Sequence, residues 1–133
     1  MAELNIVTKH RIEMLDLTAE VAALLPPGFD CGVCHLFTPH TTGALTINEN
    51  CDPDVRHDML AKLEKLIPHQ EPFYRHVEGN SAAHLKASLF GFSLAIPVID
   101  GQLALGTWQG IYFCEFDGPR PRRIRVLFQR AEG

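Results

Sequence analysis

Seven histidines are spread along this sequence, and three of them stand beside small or polar residues where predicted elements begin or end. They are His40 in PHTTG, His76 in YRHVEG and His84 in NSAAHLK. Three neutral imidazoles form a catalytic zinc shell when the fourth position is left to water or substrate. No two of the three have the i,i+4 helical spacing that makes a histidine motif specific. Two interpretations therefore stay open, namely metal ligands and histidines that form hydrogen bonds at loop ends.

The carboxylate best placed for chemistry is Glu49, at the end of the apolar run GALTINE. A side chain at a strand end can reach into a cleft, where it would act as a general base or hold a metal ligand by a hydrogen bond. A solvated strand end is the alternative. Asp52 already has a structural role, because an aspartate followed by Pro53 is typical of a helix start.

A second unusual segment is GTWQG, in which the only tryptophan of the chain lies between two glycines. Glycine within a strand marks a bulge or a close approach of another group. Thr107 and Gln109 would then be polar contacts to a ligand. The alternative is a bulged strand whose Trp108 fills a subunit interface.

Five arginines crowd the C-terminal part of the chain: Arg120, Arg122, Arg123, Arg125 and Arg130. Guanidinium groups match the oxygens of phosphate and carboxylate, so a local anion clamp is one interpretation. The alternation in RRIRVLF favours another, an edge strand whose charges face solvent and prevent unwanted pairing.

Length and composition limit the class of protein. The 133 residues fit one domain, residues 1–133, and 46% of them are hydrophobic, which suffices for a core without disulfides. A net charge of −4 argues against nucleic acid as a partner, and the short apolar runs argue against a membrane span. No secretory signal precedes the four cysteines, so we expect reduced thiols and a cytoplasmic protein.

Hydrophobic periodicity and turn residues predict the elements that would position these groups. We expect strands near 4–15, 31–39 and 43–49, helices starting near Thr18, Asp52 and Ser81, and several further strands after residue 92. The second helix would bury Val55, Met59, Leu63 and Leu66, and the third would bury Leu85 and Leu89. Asp100-Gly101 predicts a tight hairpin. This order indicates an α+β fold with a mostly antiparallel sheet or sandwich.

Three segments resemble the YjbQ family, which is described in general terms as secondary thiamine-phosphate synthase enzymes. They are HTTGALTINENCDPDVRHDML (40–60), EGNSAAHLKASLFGFS (78–93) and IPVIDGQLALGTWQGIYFCE (96–115). The resemblance covers nearly the whole chain, and GTWQ is its most specific part. Many members carry an acidic pair between the EG and AH of the second segment, where this chain has only Asn80-Ser81.

The resemblance implies a mostly antiparallel two-sheet β-sandwich with about three short helices, assembled as a homotrimer. It also implies a polar cleft near the subunit boundaries, where His40, His76 and His84 would hold a divalent metal. That metal would be zinc, or magnesium if the synthase chemistry applies. A small molecule, phosphorylated in the synthase case, would contact polar residues of the matching segments: Thr42, Asn80, Lys86, Thr107 and Gln109.

Three functions follow from these expectations. The first is a thiamine-phosphate synthase type of enzyme with low activity, which would be a side reaction of an unidentified metal-dependent role. The second is a zinc-type hydrolase or lyase that uses the three histidines as ligands and Glu49 as base. The third is a trimeric protein that binds a metal or a small ligand without turnover. The first meets an objection, because the sequence contains no glycine-rich phosphate loop.

Overall fold

The structure is a computed structural model that describes residues 1–132. Its strands are β1 (Ala2–Val7), β2 (Glu13–Asp16), β3 (Gly32–Phe37), β4 (Gly43–Glu49), β5 (Ser93–Ile99), β6 (Gln102–Leu103), β7 (Gln109–Glu115) and β8 (Pro121–Arg130). Its helices are α1 (Thr18–Ala22), α2 (Pro53–Leu66) and α3 (Ser81–Phe90). The expected α+β class, with two antiparallel sheets and three helices, is confirmed.

The strands form a five-stranded sheet in the order β1-β8-β3-β5-β6 and a three-stranded sheet in the order β2-β7-β4. Strand β7 is buried throughout Gly110–Glu115, because both of its faces are covered. Ile111 and Phe113 pack into the core between the two sheets. Tyr112 and Cys114 pack on the opposite side, among residues that include Ala83 and Ala87 of α3. The three-stranded sheet is therefore the middle layer, as the alternation of side chains along a strand requires.

Local sequence chemistry explains where several elements begin and end. Asp52 caps α2, with its Oδ1 accepting a hydrogen bond from the Asp54 amide at 2.9 Å, as expected for an aspartate before Pro53. The predicted hairpin joins β5 to β6, and Asp100 and Gly101 have φ of 52° and 73° there. Such positive angles favour Asp-Gly in a two-residue turn.

The single strand expected near 4–15 is wrong, because the structure has two strands there. β1 pairs with β8 and β2 pairs with β7, so the chain crosses from one sheet to the other within this segment. The intervening turn is fixed by Glu13, whose carboxylate accepts hydrogen bonds from the amides of Lys9 and His10. Periodicity alone does not detect this change of sheet.

The expected buried faces of the longer helices are also wrong in part. Leu66 is 64% exposed, and Leu85 and Leu89 of α3 are exposed as well. α3 packs through the small residues Ala82, Ala83 and Ala87 and through buried Lys86.

The expectation that the arginine-rich strand lies at a sheet edge is wrong. This strand is β8, which lies between β1 and β3 and is therefore not an edge strand.

No helix within the described chain is long and apolar enough to span a membrane.

Candidate functional site

Four segments enclose a polar cleft of about 360 Å³. They are the loop from β3 to β4, the loop before α3, the first turn of α3 and the turn from β7 to β8 with the start of β8. The lining residues are Pro39, His40, Thr41, Thr42, His76, Glu78, Asn80, His84, Asp117, Arg120 and Arg122. All three histidines expected to act together thus line one cleft, along with Thr42 and Asn80.

His40 is held by the backbone of β8. Strand β3 ends at Phe37, opposite Arg125, so two groups of the preceding Arg123 have no strand partner on that side. The Thr38 hydroxyl donates to the Arg123 carbonyl at 3.1 Å, and the Arg123 amide donates to His40 Nε2 at 2.9 Å. The two side chains thereby continue the hydrogen bonding of the sheet beyond the end of β3.

The same surroundings keep His40 neutral. Burial lowers the pKa of the imidazole, and the positive charges of Arg122 and Arg123 lower that pKa further. The carboxylate of Glu115 acts in the opposite direction but does not outweigh them. Since the ordinary pKa is 6.5, the neutral ring dominates at pH 7.

His76 and His84 form a pair on the other side of the cleft. Their ring centroids are 5.6 Å apart in an edge-to-face arrangement. His76 Nε2 also lies 3.9 Å from a carboxylate oxygen of Glu78. His76 belongs to the loop before α3 and His84 to the first turn of that helix, so the start of α3 brings the two rings together.

A buried chain of hydrogen bonds supports the floor of the cleft. Arg122 is 3% exposed and pairs with Glu115, which is fully buried. Arg122 Nη2 also donates to the Thr42 hydroxyl at 2.9 Å, and the Thr8 hydroxyl donates to Glu115 Oε1 at 2.7 Å. The chain links β1, β7 and β8 to the loop that carries His40.

A second group of polar contacts joins Asn80, Asp117 and Arg120. Asp117 Oδ2 accepts from Asn80 Nδ2 and from Arg120 Nη2, both at 2.7 Å. Because Asn80 donates through Nδ2, its Oδ1 is the acceptor, and this buried atom has no partner among residues 1–132. A buried unpaired carbonyl is costly, so it marks where a donor from water or ligand is needed.

The two arginines of the cleft offer hydrogen-bond donors to a ligand. Arg120 uses Nε and Nη2 on Asp117, and Arg122 uses Nε and Nη2 on Glu115 and Thr42. Within the described chain, the Nη1 amino group of each arginine makes no hydrogen bond. Two guanidinium groups with free N–H bonds in one cleft are typical of anion recognition.

The donor set does not form a metal site as it stands. In residues 1–132, no three His, Cys, Asp or Glu side chains come together in a way that could hold a metal ion. His40 Nε2 is already an acceptor for the Arg123 amide, and the two arginines place positive charge beside the imidazoles. The zinc or magnesium expected from the resemblance does not fit this arrangement of the side chains.

Lys86, expected to contact substrate, points elsewhere. It is 1% exposed and forms an ion pair with Glu64 of α2, which also pairs with Arg11 at 2.8 Å. Residues two apart on α3 lie on different faces of the helix. Lys86 therefore contacts α2, whereas His84 lines the cleft. Within one chain, Lys86 joins two helices and is not among the residues that line the cleft.

Glu49, Thr107 and Gln109 lie at the opposite end of the middle sheet. Gly43 pairs with Glu115 beside the cleft, whereas Glu49 pairs with Gln109 six residues further along β4. At about 3.3 Å per residue, this separation is about 20 Å. Glu49 there accepts from the Asp52 amide at 3.3 Å, and Gln109 accepts from the Gly106 amide at 2.8 Å. A single chain does not bring them to the histidines.

Two acidic residues of the site were missed in the sequence. Glu115 and Asp117 follow the apolar core of β7 and face Arg122 and Arg120 across the turn. The available signal was the compact sequence EFDGPRPRR, where two acids and three arginines flank a Gly-Pro turn. Opposite charges on either side of a turn often meet.

The fold and cleft define an α+β sandwich whose polar site combines imidazoles and guanidinium groups. A family model described as "UPF0047 protein YjbQ-like" matches residues 2–131, and the chain belongs to this family. It is 52% identical to the UPF0047 protein YugU of Bacillus subtilis over 124 residues, covering 92% of this chain and 94% of that protein. It is 48% identical to the UPF0047 protein MJ1081 of Methanocaldococcus jannaschii, covering 92% and 88% of the two chains.

Solved structures show the same fold. A crystal structure of an uncharacterised conserved protein of the YjbQ/UPF0047 family from Clostridium acetobutylicum matches with a TM-score of 0.94 and 47% identity, covering 97% of this chain and 100% of that chain. A conserved hypothetical protein from Thermus thermophilus matches with a TM-score of 0.91 and 40% identity, with the same coverage. The family and fold expected from the sequence segments are therefore confirmed.

Proposed function

We propose that the cleft binds a small molecule bearing a phosphate group and that the protein is an enzyme whose imidazoles move protons during a reaction on it. One observation carries the proposal: Arg120 and Arg122, each with an Nη1 group that makes no hydrogen bond within the described chain, line the same cleft as three histidines. The guanidinium groups would bind the phosphate oxygens, and the pair formed by His76 and His84 would supply an acid and a base.

The phosphate part of the proposal is tested by calorimetric titration with inorganic phosphate. Replacing Arg120→Gln removes an exposed cation of the cleft, and we expect phosphate affinity to fall by about tenfold or more. Arg125→Gln is the matched control, because Arg125 lies outside the cleft on β8. Equal phosphate affinities for the parent protein and the Arg120 variant would exclude this cleft as the phosphate site.

A synthase reaction is one form that this activity would take. In a thiamine-phosphate synthase type of reaction, a pyrimidine diphosphate joins a thiazole phosphate and pyrophosphate leaves, so both substrates carry phosphate. We expect low product formation with Mg²⁺ in protein purified from cells without a dedicated synthase. Product at the same level from the Arg120→Gln variant would show that the reaction does not depend on the cleft, and no product would contradict this form of the proposal.

A zinc-type hydrolase or lyase is the second candidate, since the cleft gathers His40, His76 and His84. It requires His40 to release the Arg123 amide, and Glu49 to act from a neighbouring copy. Elemental analysis after purification without chelators decides it, because a protein that neither carries nor takes up a divalent metal would contradict this candidate.

The third candidate is a protein that binds a metal or a small ligand without turnover. In that case Glu49→Gln would leave binding unchanged, and neither the parent protein nor the variant would show turnover.

We also propose that the protein works as a homotrimer. The outward face of the five-stranded sheet supports self-association, because it exposes apolar side chains at Val7, Phe37, Ile99 and Leu127. Assembly would also supply Glu49, Thr107 or Gln109 to the cleft of a neighbouring copy.

A further inference from the structure

We infer that His40 carries its proton on Nδ1 and uses that N–H to bind an oxygen atom of the ligand, and that it is neither a metal ligand nor the base. The hydrogen bond from the Arg123 amide to His40 Nε2, at 2.9 Å, is the primary observation. A neutral imidazole has one donor and one acceptor nitrogen. Since Nε2 accepts, Nδ1 bears the hydrogen.

The tautomer is held by the end of β3. The Arg123 amide faces the side where β3 has stopped, and the ring of His40 is its only protein acceptor among residues 1–132. Exchange to the other tautomer would place two N–H groups against each other and leave that amide without a partner. Such a loss costs about 1–3 kcal/mol, so the Nδ1–H form dominates the neutral ring.

The remaining ring nitrogen, Nδ1, has no hydrogen-bond partner within the described chain. His40 lines the cleft beside Arg120 and Arg122, so its Nδ1–H is available to a ligand bound there. Together with the two Nη1 groups, the Nδ1–H makes a third donor from a third position around the cleft. These three donors suit an anionic oxygen, the unpaired Asn80 Oδ1 remains to accept from a protonated group of the same ligand, and the ligand class rests on the proposed phosphate site.

This assignment divides the three histidines by role. His40 binds and orients the ligand, because both of its nitrogens are committed, one to Arg123 and one to the ligand. His76 and His84 are held by no such backbone bond, so proton transfer falls to that pair. A metal ion on His40 would need a free lone pair, which the neutral ring does not have in this tautomer.

Nitrogen-15 NMR of the intact, histidine-labelled protein at pH 7.5 tests the tautomer without a ligand. We expect His40 Nδ1 in the range of a protonated ring nitrogen and Nε2 in the range of an unprotonated one, with exposed His57 as the control. The reverse pattern would overturn the inference even if phosphate binds. Added zinc is expected to leave both His40 resonances in place, and a zinc-induced shift of Nε2 would overturn it as well.

Phosphate titration tests the ligand contact separately. We expect inorganic phosphate to shift His40 Nδ1, whereas chloride at equal ionic strength does not. His40→Met fills the space of the ring and places no N–H donor there, so we expect about tenfold weaker phosphate binding, and urea unfolding of the same variant separates this loss from a loss of folding. If the His40 variant binds phosphate as well as the parent protein while Arg120→Gln binds it more weakly, the role of His40 is overturned but the phosphate site is not. If neither variant loses phosphate affinity, both the role of His40 and the phosphate site are contradicted.

Discussion

Arg122 and Glu115 form an ion pair whose side chains are 2% and 0% exposed, directly beneath the cleft. Burial of two charges is costly, and it is offset here because both Glu115 oxygens accept hydrogen bonds from Arg122. The pair fixes the side chain of Arg122, which lines the cleft. The proposed ligand binding and the stability of the fold would therefore share this contact.

Glu115→Gln is expected to destabilise the protein by about 3–5 kcal/mol, because it leaves the charge of Arg122 buried without a counter-ion. Urea unfolding measures the change. Asp58→Asn is the control, since the Asp58 side chain is 79% exposed in its contact with His57, and its unfolding midpoint should not move. Equal midpoints for the two variants would contradict the structural role of the buried pair.

Lys86→Met is expected to reduce stability by about 1–3 kcal/mol while phosphate affinity stays the same. The methionine can fill the buried space but cannot donate to Glu64, which retains its contact with Arg11. Urea unfolding and phosphate calorimetry on the same preparation measure both quantities. If phosphate affinity fell as in Arg120→Gln, Lys86 would be a ligand contact after all.

Stability should decrease with acid through Glu64. Burial raises the pKa of this carboxyl, but hydrogen bonds from Arg11 and Lys86 lower it more, so the folded-state pKa lies below the ordinary 4.5. The unfolded chain then binds more protons, and the stabilisation present above pH 4.5 is lost as the pH falls through the folded pKa. Glu64→Gln should flatten the acid limb of a stability–pH curve, and an unchanged limb would contradict this assignment.

Leu127→Lys is expected to convert the proposed trimer to smaller species, because Leu127 lies on the outward face of the five-stranded sheet and is 47% exposed. Sedimentation velocity measures the species present. Leu66→Lys is the matched control, as Leu66 is 64% exposed on α2, and it should leave the assembly unchanged. A monomeric parent protein would contradict the trimer, and a trimeric Leu127 variant would exclude this face as the interface.

Two of the four thiols should react with a disulfide reagent at pH 8. Cys31 and Cys51 are exposed, whereas Cys34 and Cys114 are buried. Burial raises the pKa of Cys34 to about 11 and raises that of Cys114 further, so neither forms thiolate at this pH. Cys31→Ser should remove one fast equivalent, and urea should expose all the remaining thiols. Fast labelling of Cys114 in the folded protein would show that β7 opens.

The sequence predicted the elements whose ends are set by local chemistry. Asp52-Pro53 fixed the start of α2, and Asp100-Gly101 fixed the hairpin between β5 and β6. The sequence did not predict that α3 packs through its alanines and exposes Leu85. Both faces of the helix carry apolar residues, and which one is buried depends on the layer that covers it. Burial of a face is a tertiary property, and periodicity alone gives only a preference.

The sequence predicted the grouping of the histidines in the cleft but not the contacts of its arginines. His40, His76 and His84 were selected together, and they do line one cleft. The buried role of Arg122 was not predicted, because an alternating strand pattern does not reveal Glu115 behind it. Nor could spacing show that the Arg123 amide occupies Nε2 of His40, since that contact joins residues 83 positions apart.

The loop from Thr38 to Thr42 leaves the five-stranded sheet and enters the three-stranded one, so its ends are anchored in different layers. Any sliding of the layers would move His40 relative to His84, which is attached to the helices on the far side of the middle sheet. A substitution in the core between the layers, for example Leu36→Ala, should therefore alter ligand binding in the cleft although Leu36 does not line it. Repacking of the interior is a means of tuning this pocket without altering a single lining group.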